Sequence, residues 1–162
     1  MFKNFINQNQ LAFIMLTILF LIDRFSKFFI LKLVEQGEKL DLYITSYLNL
    51  YLIWNKGIAF GLLSFNENMI YNIITVLILI IIFTILIMII KSKGFVKYSL
   101  VIVLAGALGN VFDRIYYSAV PDFIDFHINE FHWFIFNIAD IFVTIGVFCL
   151  IYVELFINKE IK

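Results

Sequence analysis

Charge is scarce in this chain. Asp, Glu, Lys and Arg together make up 15% of its 162 residues, and the twelve bases cancel the twelve acids. A net charge of zero leaves no electrostatic footprint for nucleic acid, so a nucleic-acid partner is excluded. A single cysteine, Cys149, excludes an internal disulfide and a thiolate metal cluster. One proline, Pro121, and seven glycines leave little material for flexible linkers, and there is no internal repeat. What is abundant is hydrocarbon. The chain is 63% hydrophobic, with a mean hydropathy of +0.99, against roughly 45–50% apolar residues in soluble domains. A soluble fold of this size has no interior large enough to hide it.

The apolar residues fall into four segments, which predict an all-α polytopic membrane protein: one membrane domain over 1–162, with spans at about 11–33, 69–90, 96–116 and 134–157. The second is an uncharged run long enough to cross about 30 Å of hydrocarbon at about 1.5 Å per residue. The first resembles the apolar part of a signal peptide as far as Ile22. No small-residue cleavage site follows, and hydrophobicity resumes after Lys27, so a retained helix is expected. Lys91, Lys93 and Lys97 lie in or beside the turn between spans two and three, with Lys97 expected to snorkel. Together with Lys3, Lys159 and Lys162 they predict that both termini are cytoplasmic. The loops 34–68 and 117–133 then lie outside. In the first, Leu40, Leu42 and Ile44 alternate with Asp41, Tyr43 and Thr45, and Leu48–Trp54 is rich in strand formers, so a short β-ribbon is expected. Tyr43, Tyr47, Tyr51, Trp54, Tyr116, Tyr117 and Trp133 suit an interfacial aromatic belt.

Ionisable groups inside such spans cost at least about 2.5–3.5 kcal/mol each and therefore need a reason. Asp23 and Lys27 share a face of the first helix at i, i+4, which a self-neutralising pair would explain without any function. Asn110, Asp113 and Arg114 close the third helix, and Asn137 and Asp140 open the fourth on one side. Asp122 and Asp125 sit between these helices. No base lies within a turn of Asp140 in its own helix, so its partner must come from elsewhere. The short connection between helices three and four brings Asp122 within reach.

Two carboxylates in a poorly solvated site share one proton. One can act as general base on water while the other donates to the carbonyl under attack, with no metal and no covalent intermediate. Asn110 and Asn137 would orient the pair, and Asp113 and Arg114 would brace it. Intramembrane carboxylates also serve proton or ion pathways, so a small ion-coupled carrier subunit is the alternative. That alternative needs polar groups along a whole path, and the second helix offers only Tyr71, Asn72, Thr75 and Thr84. His127, Glu130 and His132 do not match the helical H-E-x-x-H zinc pattern and read as an exposed loop; no metal or cofactor is expected. Cys149 lies deep in the fourth span and reads as an inert thiol. The small residues Ala105, Gly106, Ala107 and Gly109 allow close helix packing.

Five blocks in order resemble the lipoprotein signal peptidases (signal peptidase II), membrane aspartyl proteases of bacteria. They are Asp23-Arg24-Phe25-Ser26-Lys27, Asn55-Lys56-Gly57-Ile58-Ala59-Phe60-Gly61, Ala105-Gly106-Ala107-Leu108-Gly109-Asn110-Val111-Phe112-Asp113-Arg114, Val120-Pro121-Asp122-Phe123-Ile124-Asp125-Phe126 and Phe136-Asn137-Ile138-Ala139-Asp140. The resemblance implies a catalytic pair of Asp122 and Asp140, supported by Asn110, Asp113, Arg114, Asn137, Asp23, Lys27, Asn55 and Gly57. It implies a substrate: a prolipoprotein carrying diacylglycerol on its cysteine, cut before that cysteine at the outer face of the bacterial cytoplasmic membrane. Membrane lipid is the other implied partner. It also implies a small extracytoplasmic β-sheet, in line with the strand-like Leu40–Trp54. Arg24 stands where the family more often has Gln, Ala105 where Gly is common, and Pro121 where Val is usual. Asp125 is the rival to Asp122.

Overall fold

The computed structural model describes residues 2–35, 41–56, 67–129 and 131–157. In chain order these form α1 (Phe2–Glu35), β1 (Asp41–Thr45), β2 (Leu48–Asn55), α2 (Glu67–Lys91), α3 (Gly94–Tyr117), β3 (Val120–Ile128), β4 (Phe131–Phe136) and α4 (Ile138–Tyr152). A π turn over Val153–Ile157 continues α4. The result is a four-helix protein with one small antiparallel sheet, in strand order β1-β2-β3-β4.

The helices divide by what they bury. Among the described residues three are long and apolar enough to cross a membrane: Tyr71–Lys91, Gly94–Tyr117 and Ile138–Ile157. α1 is not one of the three; Asp23, Arg24 and Lys27 interrupt its apolar run, and Gln8, Asn9 and Gln10 precede it. α2 has the highest mean hydropathy, 3.5, yet its spanning stretch is only 11% buried. Burial therefore does not account for its composition; contact with lipid chains does. α3 is the central helix, packed against all three others. Leu100, Val103, Leu104 and Val111 of α3 meet Ile82 and Ile85 of α2 in the main apolar core. Lys97 departs from expectation: it is buried, and its ammonium donates to the Asn9 side chain of α1. A polar partner on the neighbouring helix replaces the route to the surface.

Backbones come closest where α3 meets α4. A Cβ on Gly106 would lie 2.3 Å from the Ala139 carbonyl oxygen, and one on Gly146 would lie 2.5 Å from Val103 Cγ2 and 2.8 Å from the Ser99 carbonyl oxygen. These small residues let the helix pair lock, as their sequence spacing suggests.

The sheet extends further than the sequence suggests. β1 and β2 form the expected ribbon, but β3 and β4 occupy the stretch that reads as a plain loop. α3 stops at Ser118, whose left-handed backbone (φ 56°) turns the chain into β3 two residues later. β4 then runs to Phe136, within the stretch assigned by sequence to the fourth span, and α4 starts at Ile138. Phe123 of β3 and Ile30 of α1 form a second apolar cluster with Leu50, Leu52 and Ile138 around them, which seats the sheet on the helix ends. Pro121 pairs across from Trp54 at a point where β3 has β2 on one side and no β4 partner on the other, an edge position that tolerates a missing N–H.

Gly106→Ala is expected to push α4 away and cost about 1–3 kcal/mol, as overpacking does in cores. Thermal unfolding of the detergent-solubilised protein checks this; an unchanged midpoint would refute the close approach.

Candidate active site

α1 presents three charged side chains to α3. Lys27, fully buried, lies 3.0 Å from Asp23 Oδ1 one turn back and 2.5 Å from Asp113 Oδ2 on α3. Arg24 clasps Asp113 with two nitrogens, at 2.5 and 2.9 Å, and bonds Asp23 Oδ2 and the Gly109 carbonyl oxygen. Its guanidinium lies against the rings of Phe20 and Phe112, 5.6 and 4.7 Å from their centroids. Two acids and two bases thus neutralise each other where no water reaches Asp23 or Asp113. The Asp23 carboxylate needs the space left by Gly109, where a Cβ would lie 2.6 Å from Oδ2. Asp23 Oδ1 also accepts the Ala139 backbone N–H at 3.1 Å, tying the cluster to the first turn of α4.

The polar chain continues through amides. Lys27 Nζ donates to Asn110 Oδ1 at 3.0 Å, and Asn110 Nδ2 donates to Asp140 Oδ1 at 2.7 Å. Asp140 also belongs to a capping box. Asn137 is the N-cap of α4; its side-chain oxygen accepts from the Asp140 N–H, and its own N–H donates to Asp140 Oδ2 at 3.1 Å. The free amide of Asn137 then reaches out to β3, where Nδ2 donates to Asp122 Oδ1 at 2.6 Å. Asn55, at the end of β2, donates to Asp122 Oδ2 at 2.9 Å. Asn137 therefore touches both Asp122 and Asp140.

Asp122 is 4% exposed, and burial pushes its pKa above the ordinary aspartate value. The amides of Asn55 and Asn137 pull it back down, and the nearby negative charge of Asp140 adds to the rise.

Of the residues singled out from sequence, Asp23, Lys27, Asn55, Asn110, Asp113, Asn137, Asp122 and Asp140 form one connected hydrogen-bonded network. Arg114 is attached differently. Its Nη1 donates to the Asn110 carbonyl oxygen in its own helix, and its buried Nε has no partner among the described residues. Gly57 lies outside the described residues. Arg24 was noted only as a departure from a pattern, yet it carries half the positive charge of the buried cluster. The signal was present: a third charge beside Asp23 in an apolar run asks for its own counter-charge. Asp125 proves to be separate. The extra residues of the two bulges in this stretch belong to β2 and β4, so β3 keeps its alternation and residues three apart on it point to opposite faces. Asp125 is buried beside His132, with Nδ1 2.9 Å from Oδ2. The expected exposure of the histidine stretch fails at His127, which is 8% exposed in a strand; Glu130 lies outside the described residues.

The polar points of α2 lead nowhere across the bilayer. Thr75 and Thr84 donate to carbonyl oxygens one turn back in their own helix, and Tyr71 donates to the Arg114 carbonyl oxygen.

Comparison with known proteins gives a consistent result. The family described as signal peptidase (SPase) II matches residues 15–156. A lipoprotein signal peptidase of Pelagibacter ubique (strain HTCC1062) is 53% identical over 158 residues, 98% of this chain and 93% of its own. One from Anaplasma phagocytophilum (strain HZ) is 38% identical over 149 residues, covering 90% of this chain and 92% of its own. Among solved structures, a bacterial membrane enzyme determined by the in meso method at 1.9 Å superposes with a TM-score of 0.74 at 29% identity, over 91% of this chain and 94% of that one.

Removing the ammonium alone, as in Lys27→Met, leaves the two acids of the cluster with one base. Breaking a buried ion pair in this way is expected to cost about 3–5 kcal/mol. Thermal unfolding in detergent measures it, and a loss below about 1 kcal/mol would mean that water compensates the charges.

Proposed function

The chain belongs to the signal peptidase II family, multi-pass membrane proteins that act as aspartic endopeptidases and cleave prolipoprotein signal peptides, and from that premise we propose that Asp122 and Asp140 are its catalytic pair. One observation carries the assignment. Asp23, Asp113 and Asp125 each face a cation or an imidazole, whereas Asp122 and Asp140 are held by amides alone among the described residues. Amides orient a carboxylate without neutralising it, so these two keep the capacity to exchange a proton.

In this reading Asp122, whose carboxyl is pushed up by burial, holds the shared proton. Asp140, in the first turn of α4, is the general base in this reading. Asp140 then takes a proton from water as the water oxygen attacks the scissile carbonyl carbon. Asp122 donates its hydrogen bond, and then its proton, to the carbonyl oxygen. When the tetrahedral intermediate collapses, the proton held by Asp140 passes to the departing amine and a hydroxyl proton of the intermediate returns to Asp122, so the pair is reset. Asn137, bonded to both, keeps their separation fixed as the charge moves.

The natural substrate in this reading is a prolipoprotein already carrying diacylglycerol on its cysteine, cut on the N-terminal side of that cysteine. An apolar cavity of about 430 Å³ between α1 and α3, lined by Leu16, Phe20, Leu108 and Phe112, offers room for an acyl chain. Phe20 and Phe112 also flank Arg24, so this surface adjoins the ion cluster. All four helices cross the bacterial cytoplasmic membrane in this reading, with both termini inside. The sheet and the aspartate pair then lie at the outer face. The charges of α1 are admitted to the bilayer because α3 neutralises them.

Cleavage of a diacylglyceryl-modified prolipoprotein by the purified protein is the direct test. Asp122→Asn and Asp140→Asn are each expected to reduce kcat by at least about 100-fold, the lower end of what acid–base groups contribute, with unfolding midpoints near wild type. Asp125→Asn should lose far less; an equal loss would transfer the role to Asp125.

The pH profile is a second test. Asp122 must be protonated, and its pKa is raised, so activity should persist above the ordinary aspartate range near about 3.9 and fall only as pH rises through the shifted value. Asn55→Ala removes a donor that favours the ionised form. The falling limb of kcat/KM should therefore move to higher pH; movement to lower pH would contradict the assignment.

A further inference from the structure

The face of β3 turned away from Asp122 carries a second cluster that the peptidase chemistry leaves unused. Asp125 and His127 are two apart on β3, and because the extra residue of the bulge between them belongs to β4, they share a face of β3. His132 is the direct cross-strand partner of His127, and the two rings stack with centroids 5.0 Å apart. Asp125 Oδ2 lies 2.9 Å from His132 Nδ1 and 3.8 Å from His127 Nδ1. One potential ligand atom from each of the three residues falls within 4.8 Å of the others.

Hydrogen bonding within the hairpin does not account for this arrangement. The His127 side chain is nine-tenths buried, and its Nδ1, aimed at Asp125, has no hydrogen-bond partner among the described residues. A buried imidazole nitrogen left in that state costs stability unless something coordinates it. Asn49, paired across β2 from Asp125, likewise leaves a buried side-chain oxygen without a partner. One unpartnered imidazole nitrogen therefore faces the carboxylate, and an unpartnered amide oxygen belongs to the residue paired across from it. A hydrogen-bonded brace would need Asp125 and His132 only.

We propose that Asp125, His127 and His132 form a binding site for a first-row transition-metal cation of the Zn²⁺ class. The donor set is two imidazole nitrogens and one carboxylate, which suits Zn²⁺, Ni²⁺ or Cu²⁺ and not the all-oxygen preference of Mg²⁺ or Ca²⁺. Zinc bonds of about 2.0–2.1 Å in a tetrahedral site place ligand atoms about 3.3 Å apart. The two distances from the carboxylate, 2.9 and 3.8 Å, bracket that spacing, and all three ligand atoms lie within 4.8 Å of one another. Two buried ligands are fixed by the strand, and the half-exposed His132 provides the route of entry. The fourth position is open to water or to a further oxygen donor. Because the hairpin is built on the strand that carries Asp122, the ion would pin β3 to β4 from the face opposite the peptidase pair.

Calorimetric titration of the tag-free, chelator-stripped full-length protein in detergent with ZnCl2 tests this. Wild type should bind one equivalent, and its thermal midpoint should rise in Zn²⁺. His132→Ala, at a half-exposed position that leaves the fold intact, should weaken binding by more than about tenfold, since even outer-shell partners of a metal are worth about 10–100-fold. It should also abolish the midpoint shift. His127→Ala should do the same, with circular dichroism reporting whether it is folded. No saturable binding by wild type, or equal binding by wild type and His132→Ala, would overturn the site and leave the cluster as a hairpin brace.

Discussion

Two carboxylates and two cations buried between α1 and α3 are the constraint on which the rest of this structure rests. Asp23, Arg24 and Lys27 cannot enter a bilayer unaided at tolerable cost, and Asp113 cannot be buried alone. Each makes the others possible. The consequence is geometric as well as energetic, because a bidentate Arg24–Asp113 contact and a Lys27 shared by three acceptors allow α1 only one rotation and one depth against α3. Gly109 supplies the space for Asp23 to reach past α3 to the Ala139 N–H, so the same cluster also sets where α4 begins.

From that fixed corner the polar network passes through amides to the reacting groups. Asn110 relays the position of Lys27 to Asp140, and Asn137 relays the start of α4 to Asp122. A capping box normally satisfies two orphan N–H groups at a helix start. Here its acidic member is also half of the proposed catalytic pair. The acid is held by the very N–H groups that any helix must satisfy, and the cap residue has its side-chain amide left over for β3. The sheet completes the arrangement by bringing Asp122 and Asn55 up from adjacent strands.

Much of this was legible because helices leave periodic marks. Asp23 and Lys27 at i, i+4, Asn110 and Asp113 at i, i+3, and Asn137 and Asp140 at cap spacing each declare a shared face. Asn110 and Asp113 meet the same ammonium, that of Lys27, while Asp23 bonds Lys27 and Asn137 bonds Asp140 directly. The small-residue stretch of α3 announced its close neighbours in the same way. The short strands β3 and β4 left no such mark. Phe, Ile and Trp are as dense there as in the spans, so hydrophobicity separates neither loop from strand nor strand from helix. The helical spacing of Asp122 and Asp125 therefore suggested one face, where a strand gives two. Lys97 was misjudged for a related reason: a long cation near a helix start reads as snorkelling, and its partner, Asn9, is almost ninety residues away in sequence. The partner of Arg24, Asp113, is as distant and left no local mark.

The partners around each aspartate, more than depth of burial, separate their roles. Asp23, Asp113, Asp122 and Asp125 are all nearly inaccessible, so desolvation alone would treat them alike. Cations surround the first two and thereby commit them to holding helices together; a proton arriving there would break two ion pairs. Asp125 faces imidazoles, with which it forms the proposed metal site. Among the described residues, only Asp122 and Asp140 of these carboxylates meet donors that cannot themselves change charge, and they meet through one asparagine. A proton moving between such a pair and a substrate alters no other ion pair in the fold. A site of this kind can cycle through its charge states while the cluster that positions it stays intact, and the amide relay between them makes that separation possible.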